Sequence, residues 1–269
     1  MTAKANSKRR YLIAGAVTLT LALAAFGLAR FYPALGPIAG TVTPQLYVDS
    51  LPNADIPQHG RYILVDAASA RLYMIEDGAV QDSMRVIVGK PDTPTPALRD
   101  EINYATLNPY WHVTGDLTRS LIAANVLKQG IPYLTQHGYQ VVSAYTDDAQ
   151  VIPPESVDWK AVAAGTQQIL VRELPGPANS LGHFKFDLPH GDGIYLHDTP
   201  RKELFAQDDR SLSHGCVRLE DAERLARWLL GKDPPAVTAP EQNVLLPKPV
   251  PITISYLDSH AQMQLAALR

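Results

Sequence analysis

One cysteine stands in 269 residues, Cys216 in the stretch SLSHGCVRL. Two histidines flank its neighbourhood: His214, two residues before it, and His197, at the end of GIYLHD with fifteen residues between it and Ser213. A thiol is mostly protonated at neutral pH and attacks a carbonyl efficiently only as the thiolate. A neighbouring imidazole can take that proton and later return it to a leaving amine. Cys216 as nucleophile and His197 as base, drawn from separate parts of the chain, are the minimum for acyl transfer. The alternative is a small buried hydrophobe whose sulfur does nothing. A lone thiol forms no intramolecular disulfide, so bracing the fold is not its purpose.

The residues around the sulfur extend this chemistry. RLEDAERLARWLLG has apolar residues at helical spacing, which predicts a helix from near Leu219 closed by Gly231. That would set Cys216 close to a helix N-terminus, where free amides and the dipole favour a thiolate. The amides of His214, Gly215 and Cys216, with Ser213 beside them, could form an oxyanion hole, since Gly215 has no side chain to block close approach. Asp198 could orient His197, but alternation along a strand puts neighbours on opposite faces, so a structural role is open too. Arg218 could hold a substrate carboxylate by its bidentate fork, or be a solvated residue at the helix start. His183 and His190 could be drawn with His197, His214 and Cys216 as a zinc site. Only His214-x-Cys216 has a close ligand spacing, and acyl transfer needs neither metal nor nucleotide, so no cofactor is expected. His112, His137 and His260 read as structural.

Elements that would position these groups are mostly strands. RYILVDAASARLYMIEDGAVQDSMRVIVG, 61–89, alternates as three strands with breaks at Ala67–Ala70 and Asp77-Gly78, an antiparallel meander. KPDTPTPALR is a proline-broken loop. TGDLTRSLIAANVLKQG, 114–130, reads as a helix stopped by Gly130, and the span from Tyr104 to about Gly165 as an insertion covering one sheet edge, of the kind that forms lids. Strands resume with QQILVRE, HFKFDL and GIYLHD, and PITISYL follows a proline-rich crossing from Lys232 to Pro251. The expected fold class is mainly β, with a helical insertion and a helix after the cysteine.

At the front, Lys4, Lys8, Arg9 and Arg10 precede an uncharged run from Tyr11 to Ala29, which predicts export, with residues 1–30 as an inner-membrane anchor or a cleaved signal. Either way the remainder is translocated. Five prolines between Phe31 and Gly60 predict a semi-rigid tether. A net charge of −3 with no basic block beyond the first ten residues argues against nucleic acid, and 46% hydrophobic residues argue for a packed core.

YLHDTPRKELFAQDDRSLSHGCVRL resembles the active-site signature of bacterial L,D-transpeptidases of the YkuD type: a histidine, about fifteen residues, Ser/Thr-His-Gly-Cys, then an apolar residue and Asn or Arg. His197, Ser213, His214, Gly215, Cys216, Val217 and Arg218 fill every motif position. VIVGKPDTPTP, INYATLNPYWHVT, LPGPANSLGHFKFDLPH and IYLHDTP extend the similarity to the subgroup with a long helical capping loop, over roughly Arg61 to Tyr256, within an expected catalytic domain at 61–257. The resemblance implies a YkuD-like β-sandwich and a cysteine acyl-enzyme formed on a peptidoglycan tetrapeptide stem, with release of D-alanine and transfer to an amine of a second stem. It implies that His197 is the base and that His214 assists. The cap, with Tyr104 and Trp111, is expected to shape the stem-peptide groove, Tyr195 is a further substrate-binding candidate, and carbapenems are expected to acylate the sulfur. Transfer to water or to a free D-amino acid would use the same residues. Larger members of the subgroup carry a separate peptidoglycan-binding module, for which 31–60 is too short, and 258–269 is left as a tail.

Overall fold

The computed structural model describes residues 56–146, 148–191 and 193–268; the expected anchor at 11–29 and nearly all of the tether lie outside them. Arg61–Asp66 (β1), Arg71–Glu76 (β2) and Ala79–Gly89 (β3) form the antiparallel meander the alternation predicts. Asp77 (φ 51°) and Gly78 (φ 76°) make the tight turn between β2 and β3, both with the positive φ that such two-residue turns require. Leu98–Leu107 (β4) follows the proline-broken loop.

A separate layer comes next. Trp111–Val113 (β5) leads into a helix, α1, whose segments Gly115–Leu117, Thr118–Ala123 and Ala124–Gln129 run on without a break, the middle one in π geometry. Pro132–Gln136 (α2), Tyr139–Val142 (β6), Val151–Ile152 (β7), Trp159–Ala164 (α3) and Leu170–Glu173 (β8) complete it. Its four strands pair in the order β5-β8-β6-β7 and pack against the helices around Ile122, Trp159 and Val171. The cap is therefore bounded differently from the expected 104–165. Tyr104 belongs to β4 of the main sheet, where it lies beside Leu245, and QQILVRE supplies β8 of the cap instead of returning to the main sheet.

The chain then returns with Phe184–Asp187 (β9), Tyr195–His197 (β10), Ser211–Ser213 (β11), Val217–Leu219 (β12), the helix Ala222–Leu230 (α4), Gln242–Ser255 (β13) and a closing helix Ser259–Ala266 (α5). Main-sheet neighbours follow β3-β12-β10-β9-β4-β13-β1-β2, and β2 pairs again with β3, so eight strands close into one ring of hydrogen bonds with β11 added along β3. Its interior is the main core, where Ile63, Met74, Phe186, Leu196 and Val217 are fully buried beneath α4. β13 begins at Gln242, well before the expected PITISYL. It tolerates Pro247 and Pro249 because they lie where the ladder with β4 breaks register between Leu245 and Val250, and a missing N–H costs nothing there. The outer face of β1 and β2 is covered by α5, whose Ala261 and Leu265 pack on Tyr62, Leu64 and Ile75; residues 259–266 thus seal the sheet. Among the described residues no helix is long and apolar enough to cross a membrane.

Candidate active site

Strand alternation and register assemble the site. Ala105, Phe186, Leu196 and Val217 point into the core, so their neighbours on β4, β9, β10 and the start of β12 share the opposite face. The register pairs Thr106 with Lys185, Lys185 with His197 and His197 with Arg218. Two residues along, on the same face, Tyr195 pairs with Asp187, with Tyr104 bonded to Asp187 on one side and Cys216 beside Tyr195 on the other. His197 and Cys216 are thus diagonal neighbours on one face, a separation of about 7–8 Å between backbones that a long ring can bridge. Tyr195 is the direct neighbour of the sulfur, its ring 5.6 Å from that of His197.

Cys216 is not at a helix N-terminus. Val217–Leu219 form β12, and α4 starts only at Ala222, capped by Asp221 accepting from the Arg224 amide at 2.9 Å. Three residues are too short a strand for periodicity to reveal, which is why the helix was expected to start early. The consequence is electrostatic. With no helix dipole, burial pushes the thiol above its ordinary pKa, against hydrogen bonds from the Tyr195 amide and hydroxyl and the attraction of Arg218. Sγ–H donates to the Gly193 carbonyl at 3.7 Å. The resting sulfur is a thiol.

His197 is buried, and its Nδ1 lies 2.5 Å from the carbonyl oxygen of Asp198. A carbonyl only accepts, so Nδ1 carries the hydrogen and Nε2 keeps its lone pair for a proton. Burial above all, then Arg218, brings the imidazole down to about pKa 3, so it is neutral at neutral pH. The Asp198 carboxylate takes no part in orienting it. It holds Lys202 Nζ at 2.6 Å and accepts from the His183 amide at 2.9 Å, the structural role that alternation left open; only its main chain fixes the ring.

Ser213 and Gly215 brace the loop from behind. Ser213 Oγ donates to the Cys216 carbonyl at 2.6 Å and accepts from the Gly215 amide at 3.1 Å, which removes that amide from the expected oxyanion set and leaves those of His214 and Cys216. Thr95 Oγ1 donates to the Gly215 carbonyl at 2.7 Å. Gly215 sits at φ 118°, and a Cβ there would press on Ile194 Cδ1 at 3.2 Å, so only glycine suits the position. His214 is exposed, its pKa lowered by partial burial and by Lys90 and Arg218. Arg218 is no solvated helix residue. Its Nε is buried without a hydrogen-bond partner, and burial and the nearby Arg201 pull its pKa down, eased only by Cys216.

Cap and sheet meet at Tyr195, whose hydroxyl contacts the Trp111 indole and the sulfur. Tyr104 donates to Asp187 at 3.2 Å, and Lys185 pairs with Asp187 at 3.1 Å. Asp187 and Lys185 escaped the reading of the sequence, although HFKFDL alternates them on one face. Nothing local tells that this face meets Cys216. His190 is turned to Asp100 at 3.0 Å, and among the described residues no three His, Cys, Asp or Glu side chains converge.

The buried imidazole gives a stability prediction. Its pKa is depressed in the fold, so between about pH 6.5 and 3 the unfolded chain binds a proton that the folded chain, with Arg218 and Lys202 facing the ring, does not. Stability is therefore lost as pH falls through that window, by at most about 1.4 kcal/mol per pH unit from this residue. Urea unfolding at pH 7 and pH 4.5 should show a smaller drop for His197→Gln than for the wild type; equal drops would show that the ring does not titrate this way.

Residues 60–252 match the YkuD family, the L,D-transpeptidase catalytic domain. A curated protein of Haemophilus influenzae, named "Putative L,D-transpeptidase", is 32% identical over 189 residues, which are 70% of this chain and 37% of that protein. The chain thus spans little more than a third of that relative's length. Among solved structures, an L,D-transpeptidase from Mycobacterium smegmatis is similar at 17% identity and TM-score 0.36, over 72% of this chain and 58% of that one. L,D-transpeptidase 3 from Mycobacterium tuberculosis, with a faropenem-derived adduct, is similar at 12% identity and TM-score 0.36, over 73% and 60%. With the motif filled at every position and the match running through most of its length, this chain belongs to the YkuD family of L,D-transpeptidase catalytic domains.

Proposed function

We propose that the protein is a peptidoglycan L,D-transpeptidase. The carrying observation is one sheet face that holds a thiol, a neutral imidazole diagonal to it and a half-buried guanidinium whose Nε is buried without a partner. Attack begins from the neutral pair. Sγ adds to the carbonyl before the terminal D-alanine of a tetrapeptide stem as His197 Nε2 takes the thiol proton, and the amides of His214 and Cys216 meet the oxyanion. Burial disfavours the imidazolium, so it gives that proton promptly to the departing amine. D-alanine leaves and a thioester on Cys216 remains. An amine of a second stem attacks the thioester, losing a proton to His197, and a 3-3 cross-link and the free thiol result. No metal or nucleotide enters these steps.

The reading places the enzyme in the cell envelope, periplasmic side, held by residues 11–29 in the inner membrane, and makes carbapenems covalent inhibitors through the same sulfur. The full chain, given disaccharide tetrapeptides, should yield dimers joined through the two diamino acids. Tripeptides alone would identify a carboxypeptidase, and stems bearing a new terminal D-amino acid an exchange enzyme. Either result would overturn the transfer step while keeping the acyl-enzyme.

Arg218 is assigned to a carboxylate of the donor stem. A charge-assisted hydrogen bond contributes about 1.5–3 kcal/mol, so Arg218→Met should raise KM for the donor by roughly 10–100-fold with a smaller change in kcat. A donor amidated at that carboxylate should lose the same factor against the wild type and nothing against the variant. Equal losses in both enzymes would remove Arg218 from substrate binding.

A further inference from the structure

We propose that the cap carries a second ligand site, separate from the sulfur, for an N-acetylated amino-sugar unit of a glycan chain. The choice of ligand rests on the peptidoglycan reading above. A cavity of about 550 Å³ opens between the first turns of α1 and the loop from α3 to β8, inside the roughly 300–1,000 Å³ range of small-ligand pockets. Its lining points to a ligand. Thr118 is only 2% exposed, and its Oγ1 is buried without a hydrogen-bond partner, an arrangement that is destabilising unless something else supplies the bond. Thr118 also begins the π segment of α1, an irregularity frequent at functional sites.

The same lining holds the rings of His112 and Tyr145, stacked at 4.3 Å, and the Tyr145 hydroxyl is anchored to the carbonyls of Val113 and Val171. Burial holds His112 down to about pKa 4, so the stack is neutral. Asp116 and Arg119 pair with each other at 3.0 Å, which cancels the fixed charges on the rim, and Gln168 offers an exposed amide. An uncharged ligand is favoured, one with an apolar face for the rings and amide and hydroxyl groups for Thr118 and Gln168. An acetamido sugar has both and carries no charge; a stem peptide carries carboxylates for which this lining, with Arg119 already paired to Asp116, has no free partner. Such a hold would let the domain grip the glycan while the sheet face works on the peptide.

The probe is N,N′,N″-triacetylchitotriose, titrated calorimetrically into the full chain in detergent, in the Cys216→Ala background so that no turnover intervenes. Saturable binding is expected, weakened at least about tenfold by Thr118→Val with Gln168→Ala, and weaker for cellotriose, which lacks the acetamido groups. Thr118→Val removes an orphan hydroxyl and should leave thermal stability unchanged or higher, so lost binding will not reflect unfolding. Absent binding, undiminished binding by the double variant, or equal binding of cellotriose would each overturn the site. None of these readouts requires chemistry at sulfur, so failure of the transpeptidase reading and failure of the sugar site remain distinguishable.

Discussion

His197→Gln is expected to lower the rate of Cys216 acylation by about 10²–10⁴-fold, the usual contribution of a positioned base. Glutamine can still donate to the Asp198 carbonyl that fixes the ring, but it offers no basic lone pair to the thiol. The pH dependence makes the test specific. In the wild type the imidazole titrates near 3 and the thiol above its ordinary value, so D-alanine release in a single turnover should be flat with respect to these two groups from about pH 4 to 8. In the variant, sulfur must ionise into solvent before attacking, and the rate should climb about tenfold per pH unit through that range. A variant within threefold of the wild type at pH 7, or with the same profile, would show that the proton goes elsewhere.

Replacement of the nucleophile should have the largest effect of all. Cys216→Ser keeps the shape and the contact with Gly193 but puts the far less acidic hydroxyl before the same base, and D-alanine release should fall at least about 10⁴-fold. Carbapenem labelling should disappear with it. The fold should survive, since Cys216 lies at the mouth of the site and not in the core of β12. Residual turnover above one per cent of wild type would mean that another group carries the acyl chain.

How far the sequence foretold this site depended on distance along the chain. The β1-β2-β3 meander was readable because its signals are local: alternating apolar residues and an Asp-Gly turn. His197 and Cys216 could be singled out together because they stand in one short motif, and the register of β10 with β12 sets both on one sheet face. Partners across strands were not readable. QQILVRE has the same strand character whether it joins the main ring or the cap, and only the register with Trp111 and Tyr139 decides. The alignment of Tyr104, Asp187, Tyr195 and Cys216 likewise depends on three registers between strands far apart in sequence. The helix after the cysteine was misplaced by three residues because VRL looked like its first turn. Asp221 followed by Ala222 and Glu223 held the true start, a side-chain cap and an acidic first turn. Electrostatics changed with that shift, from a thiolate favoured by a dipole to a thiol that waits for its base.

The most direct test of the central claim is the intact mass of the full chain after mixing with a stem tetrapeptide, beside its Cys216→Ala variant. The account predicts a wild-type gain equal to the tetrapeptide less D-alanine, and none in the variant. No gain in the wild type under conditions of turnover, or the same gain in both proteins, would contradict it.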